Sequence, residues 1–528
     1  MTKVLISDKM SPRAAEIFKD RGVEVDEIVG MTPEELAACI GDYDGLAIRS
    51  ATKVTEEILA AATNLKVVGR AGIGVDNVDI PGATGRGVVV MNTPFGNSIT
   101  TAEHAIAMMF ALARQIPAAD LSTQAGKWEK SRFMGVEVTG KTLGLIGCGN
   151  IGSIVAERAL GLRMKVVAFD PYLTPERALD LGVEKAELDT LFAKADFITL
   201  HTPLTDGTRG IVDAAAIAKM KKGVRIINCA RGGLVVEADL LDGLNSGQVG
   251  GAAFDVFENE PAKENALFGH ENFIATPHLG ASTEEAQVNV AVQVAEQIAD
   301  YLVDGAVTNA LNMPSVSAEE APRLQPYMLL SEQLGSFLGQ ITESGITRVD
   351  VEYEGHATAM NTGPLTSIIL QNLLSPVLDQ TVNMVNAETV AKARGIDVCE
   401  TKHSREGTYA TLIRLTVVTE NTTRVIEGTL FSDQQPRIVG IMGIDVESEL
   451  APNMLFVTNM DEPGFIGSLG TLLGSAGVNI ANFNLGREAG DRQNGALALI
   501  HVDEEISDDL LSQVCALPQV KLAKALSF

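Results

Sequence analysis

Three residues able to run proton and hydride chemistry follow short apolar runs in the first part of the chain: Arg231 after INCA, Glu260 after FDVFEN and His278 after FIATP. An imidazole exchanges a proton near neutral pH, and a carboxylate beside it orients the ring and steadies the imidazolium. A planar guanidinium grips a carboxylate through two parallel hydrogen bonds, a task that suits Arg better than Lys. Such a trio suits hydride transfer from an alcohol, with His278 as base, Glu260 as its partner and Arg231 as carboxylate anchor. Singly, each also fits a plain role: Arg231-Gly232-Gly233 a surface turn, Glu260-Pro261 a loop acid, His278 a neighbour of a helix cap. Their common place at strand ends favours the catalytic reading.

A hydride needs an acceptor. Gly147, Gly149 and Gly152 form G-x-G-x-x-G between the run TLGLI and the helical stretch NIGSIVAERAL. The first glycine turns the chain, the second admits a pyrophosphate and the third lets helix and strand pack closely. The helix N-terminus offers free N–H groups to the phosphates. Asp170 closes the next run, KVVAFD, where an acid accepts from ribose hydroxyls. It repels a 2′-phosphate, and Pro171 and Tyr172 supply no cation, so NAD is expected rather than NADP. As an Asp-Pro turn, Asp170 has a structural reading too.

These motifs need an α/β frame, and the pattern supplies one. KVLIS, GLAIRS, KVVGRAG and GVVVMNTP read as strands alternating with helical stretches, and from Lys141 a second series follows: TLGLIG, KVVAFD, ADFITLHT, VRIINCA, GGAAFDVF and FIATPHL. The helical stretch after Ser282 returns the chain toward its first part. NMPSVSAEEAPRLQP reads as a linker. Beyond it helix and strand mix, and from APNMLFV the order is that of a split βαβ, ferredoxin-like unit. The expected division is residues 1–97 with 292–316 for a flavodoxin-like substrate domain, 98–291 for an inserted Rossmann-like domain, 317–451 for an α+β intervening domain and 452–528 for a βαββαβ domain.

Composition narrows the partners. Of 528 residues, 41 are Lys or Arg and 68 are Asp or Glu, a formal charge of −27. No basic stripe offers itself to phosphate backbones, which argues against nucleic acid and against anionic membranes. Apolar residues at 46% are ample for packed cores. The five cysteines (Cys39, Cys148, Cys229, Cys399 and Cys515) are far apart and never paired as C-x-x-C, so neither a disulfide framework nor a metal site is expected. MTKVLISD reads as an opening strand, not a signal peptide, and no apolar run reaches membrane-spanning length. A cytoplasmic protein is expected.

NCARGG, DVFENEP and TPHLGAST, with GRAGIGVDN, VMNTPFGNS and GLIGCGNIG, resemble the D-2-hydroxyacid dehydrogenase family. RSATKVT and the C-terminal extension are similar to its long, three-part phosphoglycerate dehydrogenase branch, and DEPGFIGSLGTLLGSAGVNI resembles the amino-acid-binding ACT domain. The resemblance implies NAD-dependent oxidation of D-3-phosphoglycerate to 3-phosphohydroxypyruvate, the first step of L-serine biosynthesis, with the roles given above for Arg231, Glu260 and His278. Other 2-hydroxyacid dehydrogenases, acting on hydroxypyruvate or 2-hydroxyglutarate, and a non-catalytic NAD-sensing scaffold stay open as alternatives. It also implies cofactor contacts at Asn150, Ile151, Thr202, Cys229, Ala230, Asp255, His278, Gly280 and Ala281. Substrate contacts are implied at Arg49, Arg70, Gly72, Ile73, Asn97 and Arg132, besides Arg231 and His278. Asn459, Asp461 and Asn479 would bind the effector L-serine between paired domains, in a homotetramer. Lys402, His403 and Arg405 form a small basic cluster suited to an anionic effector or to plain solvation. Two departures stand out: Asn150 where many relatives carry Arg, and Ile73 where some have a hydroxyl residue.

Overall fold

β1 (Lys3–Ile6), β2 (Glu24–Glu27), β3 (Gly45–Ile48), β4 (Val67–Arg70) and β5 (Val89–Asn92) are almost wholly apolar, apart from β2, because helices cover both faces of their sheet. They run parallel in the order β2-β1-β3-β4-β5, the flavodoxin-like arrangement. The computed structural model describes residues 2–316, 320–378, 382–404, 407–487 and 495–528. One face buries Leu36, Ile40 and Ile58, and the other Phe18 with Val290, Val294 and Ile298 of helix Glu284–Asp304. That helix lies so close to β4 that a Cβ at Gly69 would come within 2.5 Å of Ile298 Cδ1.

The second sheet has seven parallel strands: β6 (Thr142–Ile146), β7 (Lys165–Phe169), β8 (Glu184–Lys185), β9 (Phe197–Leu200), β10 (Val224–Asn228), β11 (Val249–Phe254) and β12 (Phe273–Ala275). Their order is β12-β11-β10-β9-β6-β7-β8, a Rossmann sheet whose direction of growth reverses between β6 and β9. The sequence pattern shows six of them; β8 has two residues, both charged, and so carries no apolar signal. Helix Ser98–Arg114 lays Ala102, Ala105 and Met109 on this sheet.

Beyond it, helix Ala321–Ile341 begins inside the stretch read as a linker. Leu324, Tyr327, Leu330, Leu334, Phe337, Leu338 and Ile341 recur every three or four residues and are buried, and this packing overrides Pro326 within the helix. The helix lies on a sheet of β13 (Ile346–Gly355), β14 (Asp397–His403), β15 (Thr411–Thr419), β16 (Thr423–Phe431), β17 (Gln435–Ile441) and β18 (Ile444–Ser448), ordered β14-β13-β15-β16-β17-β18. The chain ends in β19 (Asn453–Asn459), β20 (Ile480–Arg487), β21 (Ala496–Val502) and β22 (Val520–Ser527), antiparallel in the order β20-β21-β19-β22 with helices Phe465–Ser475 and Asp508–Cys515: the ferredoxin-like βαββαβ fold. Alternation along β19 sends Leu455 and Val457 to those helices, and Met454 and Phe456 into a core shared with helix Ala321–Ile341. No helix among the described residues is long and apolar enough to cross a membrane.

Phe337 joins the last two units, its ring 5.4 Å from Phe456 edge-on and 6.4 Å from Phe528 in a stack. Phe337→Ala should cost about 3–5 kcal/mol. Amide exchange checks this: β19 and β22 should lose protection while β6 and β9 keep theirs.

Candidate active site

The C-terminal edges of the two parallel sheets face each other across a cleft of about 690 Å³, with Arg49, Arg70 and Gly72 on one side and Glu260, His278 and Ala281 on the other. His278 Nδ1 lies 2.6 Å from Glu260 Oε2, and Glu260 Oε1 accepts from the Phe257 amide at 2.9 Å. Burial works to raise the Glu260 carboxyl. The hydrogen bonds from His278 and Phe257 outweigh it, holding the group below the ordinary carboxylate range.

His278 has φ of 55°, the left-handed region that a non-glycine residue occupies only when its surroundings force it. Its amide donates to the Asp255 carbonyl at 2.9 Å. Asp255, fully buried, accepts at one carboxylate oxygen from Thr276 Oγ1 at 2.6 Å and the Leu279 amide at 2.8 Å, and at the other from the Gly280 amide at 2.8 Å. His104 Nε2 lies 3.3 Å from the first oxygen. Burial opposes the charge and these donors overcome it, so the carboxyl sits below its usual range. Asp255 therefore shapes the His278 loop, and a cofactor group would have to share oxygens that the chain already uses.

On the opposite wall, Asp8 Oδ2 takes the amides of Arg49 at 2.6 Å and Thr52 at 3.1 Å, and Arg49 Nη1 reaches the Lys9 carbonyl at 3.0 Å. Burial, then the nearby Arg231, pushes the Arg70 guanidinium down to about 10, so it stays charged at neutral pH. Arg70 Nε and Asn97 Oδ1 are buried without a hydrogen-bond partner among the described residues, polar atoms left for a polar ligand. Gly72 and Thr93 bond each other twice, and the Ile73 carbonyl accepts from Asn92. Arg231 lies at the rim, its Nε bonded to Asp76 at 3.0 Å. Arg132 is not brought to the cleft: it is exposed, 3.2 Å from Glu129 and stacked over Phe133.

At the switch point, a Cβ at Gly147 would lie 2.4 Å from the His201 carbonyl and one at Gly152 would lie 2.1 Å from the Gly147 carbonyl, while at Gly149 nothing comes within 4 Å. Close packing under the loop and open space above it fit a pyrophosphate at the N-terminus of helix Asn150–Gly161. Asn150 is exposed there, with Ile151 half-buried behind it. Both Asp170 oxygens accept amides, from Cys148 and Tyr172, each at 2.8 Å, which ties the glycine loop to β7 and leaves a second lone pair on each. Thr202 follows β9, and Cys229 and Ala230 follow β10; burial pushes the Cys229 thiol up.

Comparison with known proteins adds to this geometry. Residues 106–280 match the D-isomer specific 2-hydroxyacid dehydrogenase NAD binding domain, and residues 323–442 match the D-3-phosphoglycerate dehydrogenase intervening domain. A D-3-phosphoglycerate dehydrogenase of Synechocystis is 44% identical over 97% of this chain and 92% of its own, and that of Bacillus subtilis is 40% identical over 99% of both. The chain belongs to the D-3-phosphoglycerate dehydrogenase family. Among solved structures, an NAD+-bound 3-phosphoglycerate dehydrogenase of Entamoeba histolytica matches 59% of this chain and 98% of its own at a TM-score of 0.51 and 31% identity. A glyoxylate reductase of Paecilomyes thermophila matches 59% of this chain and 98% of its own at 0.55 and 29%.

Asn459, Asp461 and Asn479, expected to meet at an effector, are not gathered within one chain. β19 runs from Asn453 to Asn459, and its pairing with β21 and β22 places Asn459 and Asp461 at one end of the sheet. Asn479 precedes β20 at the other end, bonded to Asp503 at 2.6 Å, so about 20 Å of strand separates them. Among the described residues Asn459 Oδ1 is buried without a partner, and Asp461 lies 3.5 Å from Arg487. A shared site among the three requires a second copy. Lys402 and His403 each sit 3.7 Å from a glutamate, Glu400 and Glu352, and Arg405 lies outside the described residues.

Sequence reasoning missed Asp8, Asp76, Thr93, His104 and Thr276. The available signal was position: Asp8 follows β1 and Thr93 follows β5, while Asp76 lies within the quoted GRAGIGVDN.

Two expectations follow. Gly152→Ala must displace the Gly147 carbonyl and should weaken NADH binding more than tenfold by fluorescence titration, with the circular dichroism retained. His201, just after β9, is pushed by burial down to about 4 from 6.5, its Nδ1 without a partner among the described residues. Between these values the unfolded chain binds a proton that the folded chain refuses. Stability is thus full above about pH 6.5 and falls by up to about 3 kcal/mol as pH drops toward 4. Urea denaturation across that range should show a shallower loss in His201→Asn.

Proposed function

We infer that the chain oxidises D-3-phosphoglycerate to 3-phosphohydroxypyruvate with NAD, the reaction that opens L-serine biosynthesis. The observation that carries this is the His278–Glu260 pair, 2.6 Å apart, facing Arg49 and Arg70 across one cleft, in a chain of this family. His278 Nε2 takes the proton of the C2 hydroxyl, and Glu260, ionised and fixed by the Phe257 amide, stabilises the imidazolium that results. Arg231 grips the substrate carboxylate against the 72–74 loop, while Arg49 and Arg70 attract the dianionic phosphate. Asn97 Oδ1 accepts from a substrate hydroxyl. Gly147–Gly152 and Asp170 would hold NAD, which would supply the acceptor for the C2 hydrogen as hydride.

The division into residues 1–97 with 292–316, 98–291, 317–451 and 452–528 belongs to the same proposal, supported by the four sheets. So does a tetramer whose paired C-terminal domains complete a serine site from Asn459, Asp461 and Asn479, supported by their separation within one chain. The proposed setting is the cytoplasm.

NADH formation with D-3-phosphoglycerate tests the activity, with 2-hydroxyglutarate as the competing substrate; NAD binding without turnover of either would favour a scaffold. His278→Asn should lower kcat by about 100- to 10,000-fold with NADH binding retained. Full activity in that variant would remove His278 from the role.

A further inference from the structure

Asp76 reaches across the cleft. It lies on the loop after β4, in the first sheet's unit, and its Oδ2 accepts from Nε of Arg231, at the end of β10, at 3.0 Å. The same guanidinium donates through Nη1 to the Ala230 carbonyl at 2.7 Å. It rests against Gly74, where a Cβ would lie 1.6 Å from Nη2 and 3.0 Å from Asp76 Oδ2. Glycine at that position makes room for the guanidinium, and the acid two residues later pins it. The amides of Ile73 and Gly74, in the loop against which the guanidinium rests, carry no hydrogen bond among the described residues.

With its side chain 69% exposed, Asp76 gains too little from this ion pair for stability to explain it. Its effect lies in aim. A free arginine side chain samples many rotamers, and one held at Nε and Nη1 keeps a single edge directed at the loop. Asp76 also lies near Arg70, whose charge it supports against the repulsion of Arg231. One exposed carboxylate thus steadies both guanidiniums while bonding only one.

We propose that Asp76 is a positioning residue that holds Arg231 across the cleft, so that Nη2 and the Ile73 and Gly74 amides form one preformed seat for the substrate carboxylate. This rests on the reading of Arg231 as the carboxylate anchor.

Steady-state kinetics with D-3-phosphoglycerate should show Asp76→Ala raising KM for the acid about tenfold, with kcat and the KM for NAD changed less than twofold. Asp76→Asn, whose Oδ1 still accepts from Nε, should recover most of the loss. Oxalate titrated into the NADH complex serves as a carboxylate probe independent of turnover. It should bind about tenfold more weakly to Asp76→Ala, and no more weakly to Asp76→Ala/Arg231→Ala than to Arg231→Ala alone. An unchanged or lowered KM in Asp76→Ala, or an Asn variant as impaired as the Ala one, overturns the proposal. If Arg231→Ala leaves oxalate affinity intact, the anchor reading fails and the proposal with it. Turnover of 2-hydroxyglutarate in place of D-3-phosphoglycerate overturns the substrate assignment alone, and the oxalate arm still decides Asp76.

Discussion

A carboxylate with no exposure to solvent is costly unless donors surround it, and Asp255 at the end of β11 has them: Thr276, the amides of Leu279 and Gly280, and His104 alongside. To reach those donors the chain must turn sharply after β12, and the turn passes through His278 in the left-handed region. The strain there is met by the same group, whose backbone carbonyl accepts the His278 amide. The imidazole then stands where Glu260 can hold its Nδ1, leaving Nε2 for a substrate. The imidazole is thus placed by a buried anion that bonds its backbone and not its ring.

The rest of the site follows from two parallel sheets presenting their C-terminal edges to one another. Parallel strands end on the same side, so residues distant in sequence, such as Arg49, Arg70, Arg231 and His278, meet at one rim. A formal charge of −27 repels, at long range, a substrate bearing a carboxylate and a phosphate. Within the cleft Arg49 and Arg70 stand opposite the ionised Glu260, with Arg231 close to Arg70, so local charge differs from the net charge. Asp8 and Asp76 enter that cationic ground as holders: one takes the Arg49 backbone, the other the Arg231 side chain.

Residues that act through their own backbone pattern were legible in the sequence. The glycine motif and the strand series follow from period, and His278, Glu260 and Arg231 stand out only by their common place at strand ends together with the family resemblance. Groups that act through tertiary contact were not. His104 lies on an apolar helix with nothing nearby in sequence to mark it, and its link to Asp255 exists only once Ser98–Arg114 packs on the second sheet. The start of helix Ala321–Ile341 was hidden by Pro322 and Pro326, since turn residues outweigh apolar spacing when burial is unseen. Asn459 ends β19 and Asn479 precedes β20, and strand register, which sequence spacing does not show, puts them at opposite ends of the sheet.

The crystal structure of the complex with NAD and D-3-phosphoglycerate tests the central claim most directly, that the Asp255 loop delivers His278 to the substrate hydroxyl. The C2 hydroxyl should lie within about 3 Å of His278 Nε2, with the carboxylate between Arg231 and the 72–74 loop. A C2 hydroxyl turned away from His278, with the ring still bonded to Glu260, would contradict it.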